Sequence, residues 1–341
     1  MGLTDTAPAV DFSCVRGARG LRGFLLHAAM ALGAACAVSS ALAQAYPSRP
    51  IRFIVPFGVS AGDAAARLLA TAMGASMGQP LVVENITGAG GLTGTTQMVR
   101  SPKDGYTISL VNNGHVINPN IYKDMPFDSI KDITPIGMIG HTPLMLVINP
   151  SVPAKDLKEL IALAKAKPGT LSYGSSGNGS ALHLAGVMFA KEADVNIKHI
   201  PYKAAAQMYT DLIGGHIDMS FPAASTAAAQ VQSGKMRAIG VTSQVRSKAQ
   251  PNVPTLAQAG LPNYNFVGWF GIAGPAGLPR PIVDRLNAEL KAALALPEVQ
   301  EGLAKLDVTS MGGTPEVAAQ FIESELEKHT QLVKQSGATL Q

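Results

Sequence analysis

Cysteine is nearly absent from this chain of 341 residues: the two that occur, Cys14 and Cys36, both lie in its first 44 residues. Beyond that segment no disulfide can form, so the fold must depend on its hydrophobic core, for which about 300 residues are ample. A metal site is equally unsupported, because the same stretch has no cysteine and no histidine pair at helical spacing. We therefore expect neither a metal nor a cofactor.

Basic runs and long apolar runs are missing as well. The chain has 27 basic and 23 acidic residues, and residues 45–341 retain 24 and 21 of them, a net charge near +3. Since there is no basic cluster and only 5% of residues are aromatic, we do not expect nucleic acid as a partner. No stretch after residue 44 approaches the roughly 18 consecutive apolar residues of a membrane-spanning helix.

Residues 1–44 have the pattern of a secretory signal peptide. Three arginines between residues 16 and 22 precede an apolar run over 23–38, and Ala41-Leu42-Ala43 fits the small-residue rule for signal peptidase. The pattern predicts cleavage near Ala43 and a periplasmic mature protein. One alternative is a membrane anchor, for which the apolar run is short and rich in alanine. Another is lipidation at Cys36, which lacks the leucine usually found three residues earlier.

Short apolar or β-branched runs alternate with helical patterns along the rest of the chain, which is typical of α/β proteins with open, mainly parallel sheets. The predicted strands are 51–55, 81–84, 106–111, 171–173, 197–200, 217–220 and 238–241. The predicted helices are 63–77, 155–167, 181–192, 205–213, 281–296 and 315–334.

Two extended apolar segments, 142–149 and 264–273, are bounded by proline or glycine and look like crossings between two lobes. A chain that crosses twice interrupts its first lobe. We therefore predict lobe 1 at 45–145 plus 267–341 and lobe 2 at 146–266, each a mainly parallel sheet flanked by helices. Two crossing strands make a hinge, and a ligand would lie in the cleft at the carboxyl ends of the strands.

Three loops rich in glycine and serine lie between a predicted strand and a predicted helix: 56–63, 87–94 and 173–180. Free backbone N–H groups and the helix dipole favour an anion at such places. Each loop could instead contain only the glycine and the capping residue that a strand-to-helix turn needs. None contains Arg or Lys, so we predict an anion held by amides and hydroxyls rather than by an ion pair.

Enzymatic alternatives are weaker. Gly58-x-Ser60-x-Gly62 matches the nucleophile elbow of serine hydrolases, but it follows the first predicted strand, where no upstream oxyanion loop exists. Gly88-x-Gly90 follows a strand as in dinucleotide-binding proteins, yet Thr93 stands at the third glycine position and no acidic residue ends a strand about 20 residues later. We expect a binding protein without catalytic residues, and we keep a secreted serine hydrolase as the alternative.

An ordered series of motifs resembles the Bug-type receptors of tripartite tricarboxylate transporters. The series spans nearly all of the mature chain. It consists of Tyr46-Pro47-Ser48-Arg49-Pro50, Asp63-Ala64-Ala65-Ala66-Arg67, Gly88-Ala89-Gly90-Gly91, Pro102-Lys103-Asp104-Gly105-Tyr106, Tyr173-Gly174-Ser175-Ser176-Gly177-Asn178-Gly179-Ser180, Pro201-Tyr202-Lys203, Asp211-Leu212-Ile213-Gly214-Gly215 and the Trp269 segment.

This resemblance implies a two-lobed periplasmic binding protein of the Venus-flytrap type that hands a small carboxylate to separate membrane permease subunits, and we expect a monomer. It also implies that first-lobe loops hold one carboxylate through backbone amides and ordered water. The loop Gly58-Val59-Ser60-Ala61-Gly62 departs from the family pattern, which usually has two glycines there. The candidate ligand-binding residues are Phe57, Gly58, Val59, Ser60, Ala61, Gly88, Ala89, Gly90, Asn113, Ser175, Ser176, Asn178, Ser180, Tyr202, Lys203, Ala223 and Trp269, with Asp63 as a structural cap.

Overall fold

The computed structural model describes residues 46–58, 60–202 and 205–336. The chain divides after Ser48, and the elements below belong to the unit that begins at Arg49. The strands are β1 (Ile51–Val55), β2 (Leu81–Asn85), β3 (Thr107–Asn112), β4 (Ile133–Pro143), β5 (Met145–Ile148), β6 (Ser172–Ser175), β7 (Lys198–Pro201), β8 (Met219–Ser220), β9 (Arg237–Val241), β10 (Val267–Pro275) and β11 (Thr309–Gly312). The helices are α1 (Ala61–Met77), α2 (Leu92–Val99), α3 (Asn113–Ile117), α4 (Leu157–Ala166), α5 (Ala181–Glu192), α6 (Ala205–Ile213), α7 (Ala224–Gln232), α8 (Leu256–Ala259), α9 (Arg280–Ala295), α10 (Pro297–Lys305) and α11 (Pro315–Ser336).

The first sheet has the strand order β11-β4-β10-β3-β1-β2. Strand β1 runs parallel to both of its neighbours, so that Phe53 pairs with Val83 on one side and with Ile108 on the other. Its apolar side chains are fully buried, as expected of a strand with sheet neighbours on both edges and helices on its faces. The loops that follow β1, β2 and β3 therefore leave this sheet side by side at one edge.

The second sheet has the order β7-β6-β8-β5-β9. Strand β6 is parallel to β7 and β8, whereas β5 is antiparallel to β8 and β9. The loop after β6 leaves this sheet at the carboxyl end of a parallel pair, next to the end of β7.

Two connections carry the chain between the sheets. Strand β4 belongs to the first sheet, and after Leu144 the chain continues as β5 in the second. Strand β10 returns and pairs with β4 along its whole length. Thr242, which is fully buried, ties both crossings together, because its Oγ1 accepts from Leu144 N–H at 2.8 Å and its carbonyl accepts from Phe266 N–H at 3.0 Å.

The predicted two-lobed α/β fold is confirmed, with one correction: both sheets are mixed rather than mainly parallel. The reason is the crossing chain itself. Strand β10 runs back against β4, and this puts antiparallel pairs into the middle of the first sheet. Strand β5 enters the second sheet antiparallel to both of its neighbours.

Most predicted elements occur within two or three residues of their predicted bounds, and α5 and α6 have the predicted bounds. The predictions did not include β11, most of β4, or helices α2, α3, α7, α8 and α10. The division into lobes near residues 145 and 267 stays a prediction. Helix α11 falls in the predicted lobe 1, yet Leu332 and Val333 near its end pack in the core of the second sheet. In the part of the chain that the structure describes, no helix is both long and apolar enough to cross a bilayer. The predicted signal peptide lies outside the described residues.

Candidate ligand-binding site

The first loop joins β1 to α1 and is shaped by a helix cap. Ser60 has extended backbone dihedral angles, and its Oγ accepts from the Asp63 N–H at 3.3 Å, which satisfies one of the unpaired amides of the first turn. The prediction that Asp63 caps this helix is therefore wrong: the N-cap is Ser60. A serine three residues ahead of an acidic residue suits the cap better, because its short hydroxyl reaches the third helical amide.

Asp63 instead anchors the first loop through hydrogen bonds to Asn85 and Arg67. Asp63 is 4% exposed, and its carboxylate accepts from Asn85 Nδ2 at 2.8 Å and from Arg67 Nε at 3.2 Å. Asn85 Nδ2 also donates to the Phe57 carbonyl at 3.0 Å, and Arg67 Nη2 donates to Asn85 Oδ1 at 2.6 Å. The end of β2 thus fixes the loop after β1, and the Arg67 guanidinium is committed to this support.

The second loop follows β2 and has left-handed backbone geometry, with positive φ at Gly88, Ala89, Gly90 and Gly91. A turn of this kind can present successive N–H groups to an anion. A methyl group on Gly94, the last residue of this loop, would lie 3.0 Å from the Pro56 Cα. Because glycine leaves that space, the second loop packs directly against the first.

The third loop follows β6 and reaches the first lobe through a bridging segment, which we define as residues 112–121. Asn118 Nδ2, in this segment, donates to the Gly90 carbonyl of the second loop at 3.0 Å. On the other side, a methyl group on Gly179 of the third loop would collide with the Ile121 side chain. The bridging segment therefore joins the second loop to the third, and the second loop packs against the first.

The loops contain both occupied and open amide groups. The N–H of Gly177 donates to Ser175 Oγ at 3.1 Å, and that of Gly179 donates to His183 Nδ1 at 3.0 Å. Among the described residues, no partner accepts from the N–H groups of Ala61, Gly62, Ser176 or Asn178. Ala61 and Gly62 form the first turn of a 17-residue helix, where the helix dipole also favours an anion.

Side chains of the third loop divide into buried and exposed ones. Ser175 is fully buried and its Oγ lies 2.6 Å from His199 Nε2. Ser180 is the N-cap of α5 and accepts from the His183 N–H at 3.3 Å. Ser176 and Asn178 are exposed, so they are the members of this loop that a ligand can reach directly.

Tyr202 follows β7 and Ala223 follows β8, the two strands that flank β6 in the second sheet. The Tyr202 hydroxyl donates to Asp211 Oδ2 at 2.8 Å, and burial together with this carboxylate raises its pKa to about 12. Ala223 is the N-cap of α7 and supplies no capping side chain. The first turn of α7 is thus a further helix N-terminus in the second lobe.

Two predicted ligand-binding residues have structural roles instead. Trp269 is fully buried, its Nε1 donates to Glu325 Oε2 at 3.0 Å, and its ring packs edge-on against Phe321. Asn113 is 4% exposed; its Nδ2 donates to the Val267 carbonyl at 3.1 Å and its Oδ1 accepts from the Trp269 N–H at 3.0 Å. The Trp269 side chain is bound to α11 and the Asn113 side chain to β10, so neither offers a free surface to a ligand.

Val59 and Lys203, also predicted as ligand-binding residues, lie outside the described residues. The remaining loop positions Gly58, Gly88, Ala89 and Gly90 are exposed, and Phe57 is partly buried. Sequence reasoning missed Asn85 and Asn118, although each is an amide side chain at or just beyond the end of a strand or short helix, where such residues commonly bond to backbone.

The structure gives the serine hydrolase alternative no support. A serine nucleophile needs a base within hydrogen-bond reach, whereas the Ser60 hydroxyl caps α1 and contacts no histidine among the described residues. Within the same part of the chain, no group of three His, Cys, Asp or Glu side chains could hold a metal ion.

A cavity of about 410 Å³ lies beside the crossing strands rather than at the loops. Its lining includes His141 and Pro143 of β4, Val267 of β10 and Lys328 of α11, and none of the three loops contributes to it. We assign the candidate site to the loops because they carry the open amides.

The chain is similar to known proteins of one family along most of its length. A family model described as "Tripartite tricarboxylate transporter family receptor" matches residues 65–338. The chain is 38% identical over 304 residues to a protein encoded in the tcbD-tcbE intergenic region of Pseudomonas sp. strain P51, which covers 88% of this chain and 90% of that protein. It is 34% identical over 301 residues to BugT of Bordetella pertussis, covering 87% and 92%.

Solved structures show the same likeness. A structure described as a periplasmic transporter has 37% identity and a TM-score of 0.78, and it covers 87% of this chain and all of that one. Rpa4515 of R. palustris with adipate has 31% identity and a TM-score of 0.78, with 87% and 100% covered. MatC of Rhodopseudomonas palustris with bound malate has 27% identity and a TM-score of 0.74, with 84% and 100% covered.

Proposed function

Because the chain belongs to the tripartite tricarboxylate transporter receptor family, we propose that it binds a small organic carboxylate between its lobes in the periplasm and delivers it, as a monomer, to the membrane permease subunits of such a transporter. The family is one of receptors, so the chain is a solute-binding protein and not an enzyme. The proposal concerns its ligand, its site and its partner.

The observation that carries the ligand class is the set of open amides on loops without a cation. The described residues of the three loops include no Arg or Lys, while Ala61, Gly62, Ser176 and Asn178 have N–H groups without partners among the described residues. A hydrogen bond to a charged group is worth about 1.5–3 kcal/mol net. Three or four of them offset the cost of association and leave enough for micromolar binding.

Neutral donors also make it easier for the ligand to leave the site. A buried Arg or Lys would lose its partner when the ligand leaves, and an unpaired buried cation is strongly unfavourable. Amides return to water at lower cost. A receptor that must give up its ligand to a permease gains from this difference.

Among carboxylates, the comparisons favour a dicarboxylate. Two similar structures contain adipate and malate, and each of these acids has two carboxylates. In our proposal one carboxylate of the ligand binds the first-lobe loops and the second binds the opposite side of the site. In this chain the second lobe offers Ser176, Asn178 and the first turn of α7 for that second group. Tricarboxylates and aromatic acids remain members of the test panel.

The first experiment is a thermal-shift screen of the purified protein with adipate, malate, citrate and phthalate, together with uncharged diols of matched length. A ligand at 100 times its Kd stabilises the folded state by about 2.7 kcal/mol. We expect at least one acid, and none of the diols, to raise the Tm. If no acid does so at millimolar concentration, the carboxylate assignment is wrong.

The second experiment removes one amide with little damage to the fold. Ala61 is the first residue of α1, and proline is well tolerated there because that N–H has no intrahelical partner. Ser60 already has the extended backbone that a residue before proline adopts. We expect Ala61→Pro to weaken binding of the acid by about 10- to 100-fold, and the matched control Ala61→Ser, which keeps the amide, to bind like the wild type.

Arg67→Ala separates this model from an ion pair. Arg67 is bound to Asp63 and Asn85, so its loss should reduce stability more than affinity. If Arg67→Ala abolishes binding by a folded protein while Ala61→Pro binds normally, the anion is held by an ion pair and the amide model is wrong.

A further inference from the structure

Two stacked histidines lie beneath the third loop. The rings of His183, on α5, and His199, on β7, are 3.9 Å apart between centroids and 14° from parallel. The Tyr173 ring packs on His199 at 5.0 Å. His183 is 5% exposed, so the pair forms part of the floor on which the loop rests.

Each histidine is bonded to the loop above it. His199 Nε2 lies 2.6 Å from Ser175 Oγ, and the same hydroxyl accepts from the Gly177 N–H at 3.1 Å. His183 Nδ1 accepts from the Gly179 N–H at 3.0 Å, while the His183 N–H donates to Ser180 Oγ at 3.3 Å. The second pair differs from a capping box in one respect: the His183 side chain accepts from Gly179, the residue before the N-cap, while the N–H of the N-cap Ser180 donates to the Gly177 carbonyl.

These bonds fix the backbone around Ser176 and Asn178, the two residues that alternate with the bonded glycines. Gly177 and Gly179 have positive φ values of 118° and 73°, and their amides are turned inward to Ser175 and His183. The alternating amides of Ser176 and Asn178 have no partner among the described residues. The histidines therefore decide which N–H groups of the loop are used internally and which stay open.

The geometry requires His183 to be neutral. A nitrogen that accepts from an amide cannot carry a proton. Around the pair lies a shallow pocket of about 570 Å³, to which β6 contributes Tyr173, α5 contributes Lys191, and α11 contributes the uncharged Gln335. No carboxylate lines this pocket in the described part of the chain. Burial lowers the pKa of His183 to about 4, and burial and then His183 lower that of His199 to about 3.

We propose that His183 and His199 are positioning residues, which in their neutral form hold the third loop so that the amides of Ser176 and Asn178 face the ligand. This inference rests on the proposed function for its ligand, but the loop conformation can be tested without one. The pair acts through the loop and does not itself contact the ligand.

The ligand-free test is NMR on the wild-type protein. If His183 Nδ1 accepts from Gly179, the Gly179 amide resonance should titrate with the His183 ring, with a midpoint near pH 4. In His183→Asn the Oδ1 occupies nearly the place of Nδ1, accepts the same bond and cannot be protonated. In that variant the amide chemical shift of Gly179 should stay that of a hydrogen-bonded amide and should not change between pH 7 and pH 4.

The ligand-bound test compares variants by calorimetry with the acid that gives the largest thermal shift. His183→Phe keeps the ring but loses the acceptor, and we expect a loss of affinity of about tenfold. His183→Asn should restore affinity to within about twofold of the wild type. His216→Gln, at an exposed histidine beyond α6, is the control and should change nothing.

The outcomes separate the two claims. If no acid binds, the proposed function is wrong, while the NMR titration still decides whether the pair holds the loop. If His183→Phe is folded and binds like the wild type, or if the Gly179 resonance titrates equally in His183→Asn, the positioning role is wrong.

Discussion

Asn113 acts as an extra peptide group of β3, and its removal should destabilise the protein strongly. Strand β3 ends at Asn112, which pairs with Phe270 of β10. Beyond that point the Asn113 side chain accepts from the Trp269 N–H and donates to the Val267 carbonyl. A side-chain amide thus continues the antiparallel ladder on the two groups that flank Gly268.

The cost of Asn113→Ala follows from what it leaves behind. The Asn113 side chain is 4% exposed, so the N–H and the carbonyl of β10 would both lose their partners in a buried place. A buried unpaired polar group costs about 1–3 kcal/mol, and we expect a loss of about 2–4 kcal/mol in the free energy of unfolding. Asn113→Asp keeps the acceptor but sets a carboxylate against the Val267 carbonyl, so it should cost at least as much at pH 7.

Urea unfolding followed by circular dichroism measures this change as a shift of the midpoint at constant m-value. Asn178→Ala is the control, because Asn178 is exposed on the third loop and should change stability by less than about 0.5 kcal/mol. If Asn113→Ala loses no more than this control, the side chain does not act as part of the ladder.

Four further predictions concern a buried histidine, a loop glycine, a helix cap and the closure of the lobes. Burial lowers the pKa of His115 from 6.5 to about 4. The folded protein therefore has stability above pH 6.5 that is lost as the pH falls towards 4, about 3 kcal/mol in all. The free energy of unfolding of His115→Gln should change less with pH across this range than that of the wild type, and an equal slope would contradict the assignment. Gly179→Ala should lower the Tm, because φ at this position is 73° and the new methyl group would collide with the Ile121 side chain. In an Ile121→Ala background the same substitution should lower the Tm less. If the effects of the two substitutions are additive in the double variant, the two side chains are not in contact. Ser60→Ala should cost about 0.5–2 kcal/mol through the lost cap of α1, measured by urea unfolding, and no loss would mean the cap is not used. Small-angle scattering should show compaction when a thermal-shift hit is added, and an unchanged radius of gyration would argue against hinge closure.

The element pattern was largely predictable because local signals and tertiary packing agree. Helix α5 begins at the serine cap Ser180 and its bounds match the prediction. Strand β11, by contrast, has the sequence Thr-Ser-Met-Gly and is mostly exposed, so nothing in its composition indicates a strand. It forms because its backbone pairs with β4 at the edge of the first sheet.

The candidate site was predicted as loops and only partly as side chains. Glycine and serine at the ends of strands mark where amides become available, and this is a local property that a sequence displays. Whether Trp269 faces a ligand or the core depends on Glu325 and Phe321, which lie more than 50 residues away in α11. The same holds for Asn113, whose partners are in β10.

The sequence by itself determined the α/β class, the position of the three loops, their lack of basic residues and the likeness to a receptor family. These features depend on periodicity, on capping residues and on the order of short motifs, all of which are local along the chain. Only the tertiary structure decided that the sheets are mixed, that Ser60 rather than Asp63 caps α1, and that His183 and His199 support the third loop. Those outcomes depend on contacts between residues far apart in sequence, and the free energy of such contacts is set by burial and by the partners that the fold brings together.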